Sequence, residues 1–136
     1  MNAAGVRREE RLHAIAILAG GAVGALARAG VGEAIPHAAG TWPWATFSVN
    51  IVGALVLAWL TTSLGAAAAS GRYWQPLLGT GFCGAFTTFS TFQVETIALA
   101  NDGHAALAAG YAAASLTGGM AVAVGVTAMV RRRRRG

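Results

Sequence analysis

Charged side chains are scarce in this chain of 136 residues, and that scarcity decides its class. Only 11% of the residues are charged and 55% are hydrophobic, whereas soluble domains average about 25% charged residues. So little charge cannot cover a globular surface in water. A soluble domain is therefore excluded and a membrane protein is predicted, in agreement with the mean hydropathy of +0.55.

Lysine is absent, cysteine occurs once and the histidines are not clustered. The one cysteine, Cys83, lies in an apolar stretch, so no disulfide within the chain and no cysteine-based metal cluster can form. His13, His37 and His104 lie far apart in the sequence, and we do not expect them to bind a metal. No catalytic constellation is visible, so an enzyme is not predicted. The complete absence of lysine beside abundant alanine and arginine hints at a high-GC bacterial genome.

The net charge of +5 is concentrated at the two ends of the chain. Arg7, Arg8 and Arg11 open it and Arg131–Arg135 close it. Basic ends on an apolar body indicate membrane flanks rather than a nucleic-acid surface. A basic start before an apolar run also resembles a signal peptide. Because three more apolar runs follow, we interpret the first run as a retained helix.

Apolar runs predict an all-α membrane protein with four transmembrane helices, and residues 1–136 are interpreted as a single transmembrane domain with basic tails. Each run reaches the ~20 residues that cross a ~30 Å hydrocarbon core. Glycine and alanine dominate them, which favours close helix packing in lipid. Four such helices enclose little volume, so an oligomer is expected if anything passes through. The predicted spans are residues 12–31, 44–64, 73–100 and 105–130, with short links at 32–36, 70–72 and 101–103.

Five polar residues inside the spans are candidates for function, and each has a structural alternative. Asn50 either bonds a neighbouring helix or binds an anion, with Thr46 and Gly53 on the same helical face. Arg28 either extends to the interface or forms an electropositive vestibule that attracts anions. Glu95 is either functional or a hydrogen-bonded structural group. Tyr111 and Ser115, at i and i+4 in the fourth span, either line a polar track or bond another helix.

The stretch GFCGAFTTFSTFQVE, residues 81–95, predicts a break in the third helix near its middle. Glycines followed by Thr87 and Thr88 weaken a helix, and a break frees backbone carbonyls that lipid cannot satisfy. The carbonyls of Gly84 and Thr87 are therefore candidate ligands for a hard cation.

After the break, Phe89 and Phe92 fall at i, i+3 on one helical face. A phenyl ring has a positive edge, so two ring edges in a narrow dry pore can face a small anion. Thr88, Ser90 and Thr91 add hydroxyl donors nearby.

These residues carry a resemblance to the Fluc/CrcB family of fluoride channels. Residues 81–95, GGAVGALAR at 20–28 and GTWPWATFSVNIVGA at 40–54 are similar to its signature, and the likeness extends over roughly residues 14–125. The resemblance implies small antiparallel dimers with two fluoride pores and a central structural sodium ion, Na+. It assigns the sodium ligands to the backbone of Gly84 and Thr87.

The resemblance also implies the pore residues. The Phe89 and Phe92 pair would line the pores and Asn50 would contact fluoride. Further pore positions carry over more loosely: Thr46, Ser90, Thr91, Glu95, Tyr111 and Ser115. Gly119 stands one turn after Ser115, where some members continue the track with a hydroxyl.

The predicted function is therefore a fluoride-selective ion channel in the bacterial inner membrane, through which cytoplasmic fluoride leaves passively. Fluoride holds its water tightly, so a selective pore must replace that shell with closely placed donors. One alternative is a proton-coupled exporter of the small multidrug-resistance type, a group that resembles this chain in size. Such exporters use a carboxylate on the first membrane span, whereas the predicted span 12–31 contains no acid and Glu33 follows at its end. Another alternative is a structural subunit, but it would give no function to Asn50 or to the TTFSTF run at residues 87–92.

The arginine distribution also predicts how the chain lies in the membrane. With four spans, both termini and the second link share one side. That side carries nine of the ten arginines, which favours cytoplasmic termini. A chain of fixed orientation cannot form an antiparallel pair alone. We therefore expect a heterodimer with an oppositely oriented homologue, the alternative being a homodimer in which the chain inserts both ways.

Overall fold

The computed structural model describes residues 3–64 and 71–136, and all the regular structure in these ranges is helical, with no strand. The expected link residue Ser70 lies outside the described residues. In chain order the elements are α1 (Ala3–Ala34), α2 (Trp44–Leu64), α3 (Gly71–Trp74), a π-helical segment (Gln75–Cys83), α4 (Gly84–Phe86), α5 (Phe89–Asn101) and α6 (Ala105–Arg133).

Three of these helices are long and apolar enough to cross a membrane: α1 from Arg7 onward, α2 and α6. Between α2 and α6 the chain forms a continuous helical run from α3 through the π segment to α4. Two extended residues, Thr87 and Thr88, then precede α5. Neither α5 nor the run before it reaches the length of a full membrane crossing.

Glycines bring α1 against the π segment, backbone to backbone. A Cβ on Gly24 would overlap the Phe82 carbonyl oxygen, and one on Gly20 would overlap the Leu77 carbonyl oxygen. From the other side, a Cβ on Gly81 would lie 2.6 Å from the Ile17 carbonyl oxygen. Helices approach this closely in lipid only where side chains are small, because packing rather than hydrophobicity holds them together there.

A glycine turn joins α5 to α6 and folds them into a hairpin. Gly103 has a φ of +84°, which favours glycine. The His104 amide donates to the Leu99 carbonyl at 2.9 Å and the Gly103 amide to the Ala100 carbonyl at 3.3 Å. These two bonds satisfy carbonyls that the end of α5 would otherwise leave free. The turn thereby packs Phe92 on α5 against Tyr111 on α6, inside a small hydrophobic cluster.

The contact between α1 and the π segment gives a test of the packing. Gly24→Ala is expected to destabilise the protein by about 1–3 kcal/mol, because the new methyl group has no space against Phe82. The matched control is Gly30→Ala on the same helix, where a Cβ meets no atom within 4 Å. Thermal unfolding in detergent, followed by circular dichroism, measures both. Equal melting temperatures for the two variants would contradict this packing.

Candidate functional site

The chain is interrupted between α4 and α5, and Asn50 on α2 bonds both polar groups of one extended residue there. Thr88 has φ −147° and ψ 121°, and Thr87 has φ −80° and ψ 157°. The Thr88 amide donates to Asn50 Oδ1 at 2.8 Å. In return, Asn50 Nδ2 donates to the Thr88 carbonyl at 3.0 Å. The side-chain amide thus takes the place of the backbone partners that a continuous helix would supply.

Thr88 also begins the next helix with its side chain. Its Oγ1 accepts a bond from the Thr91 amide at 3.2 Å and so caps α5. The same hydroxyl donates to Thr91 Oγ1 at 3.0 Å and lies 3.3 Å from Ser90 Oγ. On the other side of the interruption, the Thr87 hydroxyl donates to the Cys83 carbonyl at 2.8 Å. Thr88 therefore links α2 to the start of α5.

Two backbone carbonyls at the interruption lose their usual helical partners. In a continuous helix the Thr88 amide would bond the Gly84 carbonyl and the Thr91 amide would bond the Thr87 carbonyl. Here those amides donate instead to Asn50 Oδ1 and to Thr88 Oγ1. Both residues border an open groove of about 510 Å³, and Gly84 is exposed. The carbonyls of Gly84 and Thr87 are thus released from the helix beside an open space.

A third carbonyl next to the interruption is bonded by Arg28. The Arg28 Nε donates to the Ala85 carbonyl oxygen at 3.0 Å, joining α1 to the end of α4. The guanidinium is partly buried rather than extended into the open. Arg28 also borders a cavity of about 230 Å³. Arg28 therefore brings a positive charge close to the polar side chains of that cavity.

The carboxylate of Glu95 joins three helices in the same region. Thr46 Oγ1 on α2 donates to one carboxylate oxygen at 2.7 Å, and the Tyr111 hydroxyl on α6 donates to the other at 2.9 Å. Tyr111 is completely buried and Thr46 nearly so. One turn further along α6, the buried Ser115 hydroxyl has no hydrogen-bond partner within the described ranges. A buried hydroxyl of this kind either donates to a ligand or bonds an ordered water molecule.

The polar residues line two separate spaces at the interruption. The cavity of about 230 Å³ contains the Glu95 and Arg28 side chains together with Thr46, Thr91 and His37. The groove of about 510 Å³ contains Asn50, Gly84, Thr87 and Phe89, among mostly apolar neighbours. Thr88 borders both spaces.

The two phenylalanines lie in different surroundings. Phe92 is 9% exposed and packs on the Tyr111 ring at 5.2 Å, whereas Phe89 is 67% exposed. Their rings stack, with centroids 5.8 Å apart and planes 29° from parallel. Within one chain the pair therefore presents one open ring and one buried ring. That both edges face an anion stays a prediction.

Some residues of this region were not singled out by the sequence analysis. The Ala85 carbonyl, the His37 side chain in the small cavity and the Trp42 ring beside Tyr111 were all missed. Thr88 was counted only as a hydroxyl donor. Its capping role had a sequence signal, because Thr is a favoured residue just before a helix. Nothing local marks the other three, since their roles depend on distant parts of the chain.

Long apolar helices, tight glycine contacts and polar side chains bonded inside the bundle define a small multi-pass helical membrane protein. Residues 15–126 match the family described as CrcB-like protein, Camphor Resistance (CrcB). The match covers most of the chain, and the chain belongs to this family. The family predicted from the 81–95 stretch is thereby confirmed.

Named relatives are similar over nearly the whole chain. The fluoride-specific ion channels FluC 1 of Mycobacterium bovis and Mycobacterium tuberculosis are each 51% identical over 118 residues, which is 86% of this chain and 89% of theirs. The fluoride-specific ion channel FluC of Chlorobaculum tepidum is 42% identical over 103 residues, which is 76% of this chain and 82% of its own.

The paired bonds between Asn50 and Thr88 give a test of the site. Asn50→Ala leaves the part-buried Thr88 amide and carbonyl unpaired, and we expect a total loss of about 1–3 kcal/mol. The matched control is Thr61→Ala on the same helix, whose hydroxyl bonds only carbonyls of its own helix. Thermal unfolding in detergent compares the two variants. Wild-type stability of Asn50→Ala would mean that Asn50 does not hold the interruption together.

Proposed function

We propose that this protein is a fluoride-selective ion channel in the bacterial plasma membrane, passively exporting cytoplasmic fluoride and so reducing its toxicity. The observation that carries the proposal is the 51% identity to fluoride-specific ion channels over 86% of the chain. The matched range 15–126 includes every candidate site residue. These relatives are named as channels, and the proposed activity is transport rather than catalysis.

The hydrogen bonds of the site leave the kind of donors that fluoride requires. Asn50 uses one of its two amide hydrogens on Thr88, so one remains. The Thr91 hydroxyl accepts from Thr88 and keeps its own hydrogen. The buried Ser115 hydroxyl adds a third donor. Neutral donors can replace the tight water shell of fluoride without binding it so firmly that it cannot leave.

The proposed pore needs a second chain. In the proposal, the helical run 71–86 and α5 form one interrupted membrane span, and Phe89 faces an antiparallel partner chain. This is supported by the 67% exposure of Phe89 and by the open groove beside it. If a second subunit covers the groove, the edge of the exposed Phe89 ring can face an anion there, close to Asn50.

Phenylalanine variants test the channel. Phe89→Ile and Phe92→Ile keep roughly the side-chain volume but remove the charge distribution of the ring, so fluoride efflux from liposomes should fall strongly. A fluoride electrode measures efflux from protein purified together with any partner chain it retains. Val94→Ile, at a position equally exposed on α5, is the matched control. Wild-type efflux in both Phe variants, with a normal dimer on size exclusion, would refute the role of the rings.

A structural sodium ion at the interruption belongs to the same proposal. The chemistry of the donor set fits, because the released carbonyls of Gly84 and Thr87 are hard oxygen ligands and no charged side chain is needed. The ion would hold these backbone groups and join two subunits at the dimer centre. Replacing sodium with a bulky organic cation should inhibit efflux or dissociate the dimer. Complete indifference of both efflux and dimer to this exchange would count against the site.

The partner is proposed to be a homologous chain of opposite charge bias, oriented the other way in the membrane. This proposal rests on the arginines at one end of the bundle, which favour one orientation. Labelling of cysteines placed at the termini in intact cells should find nearly all termini on the cytoplasmic side. If about half the copies expose their termini outside, or if this chain transports fluoride alone, the partner is a second copy of the same chain.

A further inference from the structure

The arginines at the two ends of the chain lie toward one end of the helix bundle. An Arg134 guanidinium nitrogen donates to the Ser63 carbonyl, which brings the end of α6 to the end of α2. The His13 ring lies edge-on to Tyr73 at 6.1 Å, which brings the first part of α1 to α3. We call this surface the basic end. It consists of eight exposed arginines: Arg7, Arg8, Arg11 and Arg131–Arg135.

The pattern of apolar and basic residues places the basic end at the depth expected for lipid headgroups. Arg11 directly precedes the apolar part of α1, and Arg131 directly follows Val130, which is buried in the bundle. The stretch from Ala105 to Val130 is about 39 Å long, more than the ~30 Å of hydrocarbon that it crosses. Two aromatic side chains of the kind found at membrane interfaces are half exposed at the same end: Tyr73 and Trp74.

Helix dipoles do not account for this concentration of charge. Arginines in the last turn of α6 are favoured by the negative end of that helix. Arg7 and Arg8, however, lie beyond the first turn of α1, where the helix dipole has little effect on a charge. The acidic residues in the same part of α1 are Glu9 and Glu10, and the Arg131–Arg135 run contains none. An external anion would relieve the repulsion among the remaining charges.

We propose that the basic end binds the phosphate groups of anionic phospholipids in the adjoining leaflet. Guanidinium groups bind phosphate oxygens in a two-pronged geometry, and basic residues beside membrane spans are attracted to anionic lipid. The location favours lipid over nucleic acid. The arginines adjoin the apolar parts of α1 and α6 without a linker, which keeps them close to the headgroup layer. This inference goes beyond fluoride transport and does not depend on it.

The test compares lipids that differ only in headgroup charge. The full chain, with any partner it retains, is titrated in neutral detergent with phosphatidylglycerol or with phosphatidylcholine of the same acyl chains. Thermal unfolding is followed by tryptophan fluorescence. Phosphatidylglycerol should raise the melting temperature by several degrees more than phosphatidylcholine, because a ligand that binds only the folded state stabilises it. The difference should shrink in high salt.

A variant set separates lipid binding from packing. R131Q/R132Q/R133Q/R135Q leaves Arg134 and its bond to Ser63 in place. It should weaken the apparent affinity for phosphatidylglycerol by more than about tenfold. The matched control, R131K/R132K/R133K/R135K, retains the charge and should retain the lipid-specific shift. Far-UV circular dichroism confirms that both variants are folded before titration.

Three results would overturn the proposal. The first is an equal response of the wild-type protein to the two lipids. The second is an unchanged phosphatidylglycerol response in the glutamine variant. The third is an equal shift with glycerol phosphate or a short oligonucleotide, which would assign the basic end to soluble anions. None of these measurements involves fluoride, so they succeed or fail independently of the channel function.

Discussion

A helix interrupted inside a packed bundle leaves amides and carbonyls that need new partners, and this constraint governs the centre of the molecule. Asn50 meets it by bonding both backbone groups of Thr88, and Arg28 bonds the Ala85 carbonyl beside it. The Thr88 side chain then starts α5. Arg28 of α1, Asn50 of α2 and Thr91 of α5 all bond residues 85–88. The polar groups nearby are therefore held in place rather than free to reorient.

Close packing of small residues makes this arrangement possible. Gly53 on α2 leaves the space that the Thr87 methyl group occupies, one turn from Asn50. Gly20 and Gly24 let α1 approach the π segment closely enough for Arg28 to reach the Ala85 carbonyl. The glycines of the spans therefore serve the polar centre as well as the contacts between helices. A larger side chain at any of these positions would move the donors away from the interruption.

Hydropathy was sufficient to find α2, whose bounds Trp44–Leu64 are those of the second apolar run. It could not find the extension of α1 back to Ala3, because residues beyond the membrane are polar although the helix continues. It also could not find the π segment, since that geometry uses i→i+5 bonds and leaves no period of 3.6 residues.

Within the site, residue type and spacing identified Asn50, Thr46 and Glu95 as candidates but not their partners. The Thr46 bond to Glu95 joins residues 49 positions apart, and such a pairing depends on how the helices dock. The spacing of Phe89 and Phe92 placed them on one face. Their unequal burial depends on Tyr111, which lies on another helix. The sequence thus identified the polar groups of the site, whereas the packing of the helices determines which partner each group bonds.

The pairing of Asn50 with Thr88 also has a consequence for biosynthesis. The two residues are separated by 38 positions, so α2 is synthesised before its partner. Until Thr88 arrives, the Asn50 amide must remain near water or bond a temporary neighbour, because an unpaired amide in hydrocarbon is costly. The same holds for α1, whose glycine surface stays uncovered until the π segment is made. Packing of the first two helices is thus provisional until residues 75–88 are made, and α5 and α6 then complete the fold.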